Sequence, residues 1–85
     1  MIKLKTKCFE LSYESEIKAS IEGYLSDALH EMEEPGNIVK LTTEQVEGLI
    51  SYVEKKYGDG AEVVSQLYTL CKNMGKNERL RISWS

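Results

Sequence analysis

The chain has 85 residues, of which 41% are hydrophobic and 29% are charged, and its formal net charge is -3. This composition excludes an intrinsically disordered chain, which would have a smaller apolar share and a larger net charge. It also excludes a transmembrane helix, because no apolar run approaches the roughly 20 residues that cross a bilayer. We therefore predict that residues 1–85 form a single small globular domain.

The amino-terminal residues and the cysteine content indicate the compartment. Residues 1–7 alternate apolar with charged side chains, whereas a secretory signal has a continuous apolar stretch. Cys8 and Cys71 have no motif spacing, and two cysteines do not form a disulfide framework. We expect a cytoplasmic protein in which both thiols are free.

The chain begins with a predicted strand and a predicted helix. Two runs of alternating apolar residues, 2–6 and 9–13, predict the strand, and the change of phase at Cys8-Phe9 predicts a bulge or a strand end there. Ser15 is placed to cap a helix that ends at Pro35-Gly36. The apolar face of this helix consists of Ile17, Ile21, Tyr24, Leu25, Ala28, Leu29 and Met32.

A short strand and a second helix follow. Residues 38–41 predict the strand. Thr42 then begins a helix, because Gln45 three residues later completes a capping box, and Gly58 is placed to end it. Its predicted buried face consists of Val46, Leu49, Ile50, Val53 and Tyr57.

The last two predicted elements are a third helix and a final strand. Asp59 and Glu62 repeat the capping signature, and Gly75 is expected to close the helix. Its predicted buried side consists of Val63, Val64, Leu67, Leu70, Cys71 and Met74. Residues 79–84 alternate as a half-buried strand, with Trp84 on the buried side.

The order β-α-β-α-α-β predicts an α+β fold or a small α/β fold. We expect a two- to three-stranded sheet with three helices packed on one face. The strand–helix–strand start favours a right-handed parallel crossover. Alternation in both end strands predicts that the other face of the sheet is open to solvent, although parallel sheets are usually covered on both faces.

Charge is segregated along the sequence. Residues 1–7 and 72–85 together carry a balance of +6, whereas residues 8–71 carry −9. If the two end strands are neighbours, their basic residues share the exposed face of the sheet. We call this surface the basic plate, and its predicted members are Lys3, Lys5, Lys7, Arg79 and Arg81.

The basic plate has three interpretations. It is suited to an acidic protein surface or to the phosphates of a nucleic acid, because clustered charge speeds encounter with an oppositely charged partner. The third interpretation is that these residues solvate the sheet and protect its edges. The first predicted helix carries a second group of charged residues, which form either a docking surface for a basic partner or a solvated helix face. These acidic residues are Glu16, Glu22, Asp27, Glu31, Glu33 and Glu34.

No motif for catalysis, a metal or a cofactor stands out in the sequence. His30 has Asp27 and Glu34 within reach on one helix, but a metal site requires three or four ligands. Cys71 lies on a predicted buried face, where a thiol is normally inert. We therefore predict that the protein is not an enzyme and that it binds neither a metal nor a cofactor.

The residues favour a small protein-interaction module. It would act as a regulator, inhibitor or accessory protein, of the kind that mobile elements encode, and it would contact another protein through the basic plate or a strand edge. A homodimer is one form of that contact. The alternative is a domain that binds RNA or single-stranded DNA through the same plate.

One segment resembles a known family. The capped helix from Gly60 through Gly75 and the strand Leu80-Arg81-Ile82 resemble the end of the barstar family of ribonuclease inhibitors. The order of elements is similar as well, with one helix absent between Glu34 and Ile38. The resemblance covers only the carboxy-terminal part of the chain and assigns no residue or activity to it.

Overall fold

The structure is a computed structural model that describes residues 1–28 and 38–84. Within these ranges the chain forms strands and helices in the order β-β-α-β-α-α-β. The strands are β1 (Ile2–Lys5), β2 (Glu10–Tyr13), β3 (Ile38–Leu41) and β4 (Leu80–Trp84), and the helices are α1 (Ser15–Ala28), α2 (Thr43–Tyr57) and α3 (Glu62–Lys72).

The strands form a four-stranded sheet in the order β2-β1-β4-β3, and every neighbouring pair is antiparallel. The predicted α+β class is confirmed. The predicted parallel crossover is wrong, because β3 pairs with β4 and not with β1. An antiparallel sheet commonly keeps one face in solvent, so the exposed outer face now has an ordinary explanation.

The predicted strand count is also wrong, because residues 2–13 form a hairpin of two strands. Lys5 lies opposite Glu10, so the chain reverses within residues 6–9. The Thr6 N–H donates to the Phe9 carbonyl over 2.8 Å, and the Thr6 hydroxyl accepts from the Phe9 N–H over 3.1 Å. The change of phase at Cys8-Phe9 is therefore a strand end and not a bulge.

The hydrophobic core lies between one face of the sheet and the helices. Ile2, Leu4, Leu80 and Ile82 project from the two central strands and are fully buried. The edge strand β3 contributes Val39 and Leu41 to the same cluster. The helices supply the remainder of the cluster, which consists of Ile21, Leu25, Val46, Leu49, Ile50, Val53, Val63, Val64, Leu67 and Leu70.

The predicted caps are right for α2 and wrong for α3. The Thr42 hydroxyl accepts from the Gln45 N–H, and the Gln45 side chain accepts from the Thr42 N–H over 2.8 Å. Gly58 ends α2 with a φ of 90°, in the region that favours glycine. In contrast, Ala61 precedes α3 without a side-chain cap, and Asn73, not Gly75, follows its last residue.

Tyrosines join α1 to α2. The Tyr24 hydroxyl donates to the Gln45 carbonyl over 2.9 Å, and the Tyr57 hydroxyl lies 3.0 Å from the Ser20 hydroxyl. Tyr24 and Tyr52 are in ring contact, with centroids 5.7 Å apart. The hydroxyl groups of Tyr24 and Tyr57 therefore have hydrogen-bond partners within the protein, as tyrosine hydroxyls in packed surroundings usually do.

Part of the predicted first helix lies outside the described residues. This part includes Leu29, Met32 and the predicted end at Pro35-Gly36, and the side chain of Ala28 is also outside the description. The structure places Ser15 in α1 with a φ of 62°, in the left-handed region. Trp84 pairs with Ile2 in the register. The side chain of Trp84 is outside the described part of the chain, so its burial stays a prediction.

Candidate interaction surface

Three basic residues form a row across the outer face of the sheet. Lys5 lies directly opposite Arg81 on β4, and Arg81 lies directly opposite Lys40 on β3. All three side chains are exposed. Because adjacent strands are about 4.8 Å apart, the row spans about 10 Å. We call it the cation row.

A second row runs parallel to the first and contains Lys3. Lys3 pairs with Ser83 of β4, which in turn pairs with Ile38 of β3. Lys3 is exposed and stands two residues from Lys5, so both lysines point to the same side of the strand. Lys3 therefore extends the basic plate along β1.

Lys7 and Arg79 lie at the end of the plate, beyond the paired strands. The carboxylate of Glu78 holds this region together, since it accepts from the Lys7 N–H over 2.7 Å and from the Gly75 N–H over 3.0 Å. These hydrogen bonds from Gly75 and from Lys7 lower the pKa of Glu78. The bridge links the β1–β2 hairpin to the loop before β4.

The structure brings the predicted plate residues together because β1 and β4 are neighbours. It also adds Lys40 of β3, which is not among the predicted members. The pattern Ile38-Val39-Lys40-Leu41 did place Lys40 on the outer side of a strand, because Val39 and Leu41 are buried. Lys40 belongs to the basic plate because β3 lies beside β4 in the sheet.

Among the described residues on this face, the acidic charge lies at one edge. Glu10 of β2 is opposite Lys5 and is exposed, whereas its neighbour Ser12 is opposite Lys3. The central strands β1 and β4 carry only basic or hydroxyl side chains at the described outer positions. The positive charge of the plate is therefore concentrated on the middle of the sheet.

The predicted acidic surface of the first helix is described only in part. Glu16 and Asp27 are exposed, and Glu22 lies 3.5 Å from the ammonium group of Lys18 in an ion pair one helical turn away. Glu31, Glu33 and Glu34 lie outside the described residues. The described part is typical of a solvated helix face.

Of the residues considered for chemistry, the structure describes Asp27, Cys8 and Cys71. His30 and Glu34 lie outside the described residues. Residues 1–28 and 38–84 contain no cluster of three histidine, cysteine, aspartate or glutamate side chains that could hold a metal ion. Cys8 is exposed at the hairpin, and Cys71 is half-buried.

Cys71 lines a groove of about 730 Å³ between α2 and α3, together with Ile50 and Val64. Burial raises the pKa of the Cys71 thiol, and the nearby Glu47 carboxylate raises it further. The thiol therefore stays protonated at neutral pH, which disfavours it as a nucleophile.

Two further tyrosines bond across elements. The Tyr13 hydroxyl of β2 donates to the Gln66 side chain of α3, and burial together with the Glu62 charge raises the pKa of Tyr13 to about 12. Tyr68 is 54% exposed, and its hydroxyl donates to Glu54 over 2.9 Å. Tyr13 ties the edge strand β2 to α3.

The chain matches no protein-family model, no curated protein and no solved structure. The resemblance of the carboxy-terminal segment to the barstar family therefore has no support beyond the pattern that suggested it. None of the helices in the described part of the chain is both long enough and apolar enough to span a bilayer.

Proposed function

We propose that the protein is a small protein-interaction module whose basic plate binds an acidic surface of another protein. The cation row of Lys5, Arg81 and Lys40 is the observation that supports this proposal. Lys3 extends the row, and Lys7 and Arg79 border it. Carboxylates are suited to this surface, since lysine and arginine donate charge-assisted hydrogen bonds to them.

Edge protection explains only part of the plate. Lysine on an edge strand prevents pairing with other chains, and this reason applies to Lys40 of β3. Lys5 and Arg81 lie on the central strands β1 and β4, which are already paired on both sides. Like charges placed directly opposite each other destabilise a sheet. An acidic partner would remove that repulsion, which favours a binding role.

An acidic protein fits this face better than a nucleic acid does. Domains that bind single strands usually stack bases on exposed aromatic side chains. The described outer positions of the strands carry no aromatic residue. Residues 8–71 have a balance of −9, which would also repel a phosphate backbone unless they face away from it.

The proposal can be tested with two variants of equal charge change. Lys5→Gln with Arg81→Gln removes two charges from the plate, whereas Lys55→Gln with Lys72→Gln removes two exposed charges from helices α2 and α3. Each tagged protein would be used to capture partners from lysate of the source cell after nuclease treatment. Captured proteins would be identified by mass spectrometry, and direct binding would be measured with the purified partner.

We expect one acidic protein to be retained after nuclease treatment. It should bind wild type and the helix variant (Lys55→Gln with Lys72→Gln) equally well, and it should not bind the plate variant (Lys5→Gln with Arg81→Gln). Its affinity should fall as salt rises. Equal binding by the plate variant would contradict the proposed site. Recovery that disappears with nuclease would instead support the alternative, an RNA- or single-stranded-DNA-binding domain.

A further inference from the structure

We infer that a second copy of this chain docks on the free edge of β2, so that the sheet continues across a two-fold axis at Leu11. The surface is separate from the basic plate, and the inference does not depend on the proposed function. Three features support it: unpaired backbone groups, a compatible register, and half-buried apolar side chains along the edge.

Along the outer edge of β2, the backbone groups have no hydrogen-bond partner among residues 1–28 and 38–84. Among the described strands, β2 pairs only with β1. Exposed edges usually carry charged side chains, above all lysine, or a proline or a bulge, which prevent further pairing. The β2 sequence Glu10-Leu11-Ser12-Tyr13 contains neither lysine nor proline, and its one charged residue, Glu10, lies opposite Lys5 of β1. The pairing with β1 is continuous over all four residues.

The hairpin geometry identifies which backbone groups are free. Thr6 donates to Phe9, so these two residues form a hydrogen-bonded pair at the turn. Hydrogen-bonded and non-hydrogen-bonded pairs alternate along an antiparallel ladder. Lys5–Glu10 and Lys3–Ser12 are then non-hydrogen-bonded pairs, and the N–H and C=O groups of Glu10 and Ser12 point away from β1.

Only one symmetric register uses both free residues without bringing like charges together. With the axis at Leu11, Glu10 of one copy lies opposite Ser12 of the other, and each pair exchanges two hydrogen bonds. With the axis at Ser12, Glu10 lies opposite Glu14 of the second copy. With the axis at Glu10, the two Glu10 side chains face each other, and such like-charge pairs are unfavourable.

The same register brings apolar side chains together. Leu11 lies opposite Leu11 of the second copy, and Phe9 lies opposite Tyr13 of the second copy. All three side chains are half-buried in the single chain, on the helix-facing side of β2. A surface pocket of about 340 Å³ is lined by Phe9 and Leu11, and its α3 wall consists of Glu62, Ser65, Gln66 and Thr69.

The opposite edge of the sheet does not favour such pairing. The outer position of β3 carries Lys40, which lies next to Arg81 of β4. A symmetric pairing through β3 would bring two copies of these cations into one surface. Charge therefore selects β2 as the edge at which a second copy docks.

The experiment is sedimentation equilibrium of the full chain over a range of concentrations. Ser12→Pro removes the outward N–H without affecting the hydrogen bonds to β1, and Ser12→Glu places a carboxylate opposite Glu10 of the second copy. Ile38→Glu is the matched control at the other edge, where Ile38 is 37% exposed. Circular dichroism would confirm that each variant is folded.

We expect wild type and Ile38→Glu to reach about twice the 9.7 kDa mass of one chain. Ser12→Pro should raise the dissociation constant at least about tenfold, because the dimer loses two hydrogen bonds. Ser12→Glu should also raise it, because it brings like charges together across the interface. A wild-type protein that stays monomeric at millimolar concentration would overturn the inference. The inference would also be overturned if the folded Ser12→Pro and Ser12→Glu proteins dimerised as tightly as wild type.

Discussion

Lys5 of β1 and Arg81 of β4 lie directly opposite each other on the exposed face of the sheet. Lys40 lies on the other side of Arg81, so the guanidinium group has a like charge on both neighbouring strands. Such pairs destabilise a sheet by an amount comparable with the gain from opposite charges, about 0.2–1 kcal/mol each. The unbound protein therefore retains an electrostatic repulsion that an acidic partner would relieve.

Arg81→Thr should increase the free energy of unfolding at low ionic strength. The change removes the central charge of the cation row and leaves a residue with high strand propensity, so we expect a gain of about 0.5 kcal/mol. The gain should shrink at high salt, because the Debye length falls from about 10 Å at 0.1 M to about 3 Å at 1 M. Urea denaturation at the two salt concentrations measures both effects.

Ser83→Thr is the control for the change in strand propensity, since Ser83 is on the same strand and the same face and carries no charge. Its effect should not depend on salt. The change in the free energy of unfolding caused by Arg81→Thr could depend on salt no more than the change caused by Ser83→Thr. That result would show that repulsion within the cation row does not measurably lower the stability.

Gly48→Ala should destabilise the contact between α1 and α2. A Cβ atom at position 48 would lie 2.6 Å from the Tyr24 hydroxyl, so the tyrosine would have to move and release the Gln45 carbonyl. The lost hydrogen bond and the disturbed Tyr24–Tyr52 ring contact together outweigh the better helix propensity of alanine. We expect a net loss of about 1 kcal/mol in thermal or urea unfolding.

The sign of this effect should reverse in a Tyr24→Phe background. Phenylalanine lacks the hydroxyl, so the alanine methyl group fits and its helix propensity contributes up to about 1 kcal/mol of stability. Gly48→Ala that destabilises both backgrounds equally would show that the hydroxyl is not the cause. Gly60→Ala is a further control, because no atom lies within 4 Å of a Cβ there.

Glu78→Gln should reduce stability near neutral pH and have no effect in acid. Hydrogen bonds from Gly75 and Lys7 lower the pKa of Glu78 below its ordinary value of 4.5. A lowered pKa in the folded state means that the stabilisation is present above the unfolded-state value and is lost as the pH falls through the folded-state value. Urea unfolding of both proteins at a series of pH values would show the difference disappear in that window.

Glu14→Gln is the matched control, because Glu14 is an exposed residue between β2 and α1. Its free energy of unfolding should follow that of wild type across the same pH series. A difference between wild type and Glu78→Gln that persisted unchanged at low pH would show that the effect is not due to the carboxylate charge.

Local features of the fold followed from the sequence. Thr42 and Gln45 form the capping box that their spacing predicts, because a cap depends only on residues within one helical turn. Alternation in residues 80–84 places Leu80 and Ile82 in the core. The predicted α3 cap at Asp59 was wrong because the helix begins two residues later than the signature suggested, after Ala61.

The candidate surface was predictable only in part. Lys5 and Arg81 could be assigned to one face once their strands were taken as neighbours, and the structure places those strands side by side. Lys40 could not be assigned, because alternation in residues 38–41 does not show which strand lies beside them. The hairpin at residues 6–9 was also missed, since a change of phase is compatible with a bulge as well as with a turn.

The sequence by itself determined which side of each strand and helix is apolar, where α2 is capped, and how charge divides between the ends and the middle of the chain. These properties depend on residues that are close in sequence. Only the tertiary structure decided that β3 pairs with β4, that the whole sheet is antiparallel and that Lys40 joins Lys5 and Arg81. Strand order depends on which distant apolar faces pack together, and alternation within one strand is the same for a parallel or an antiparallel neighbour.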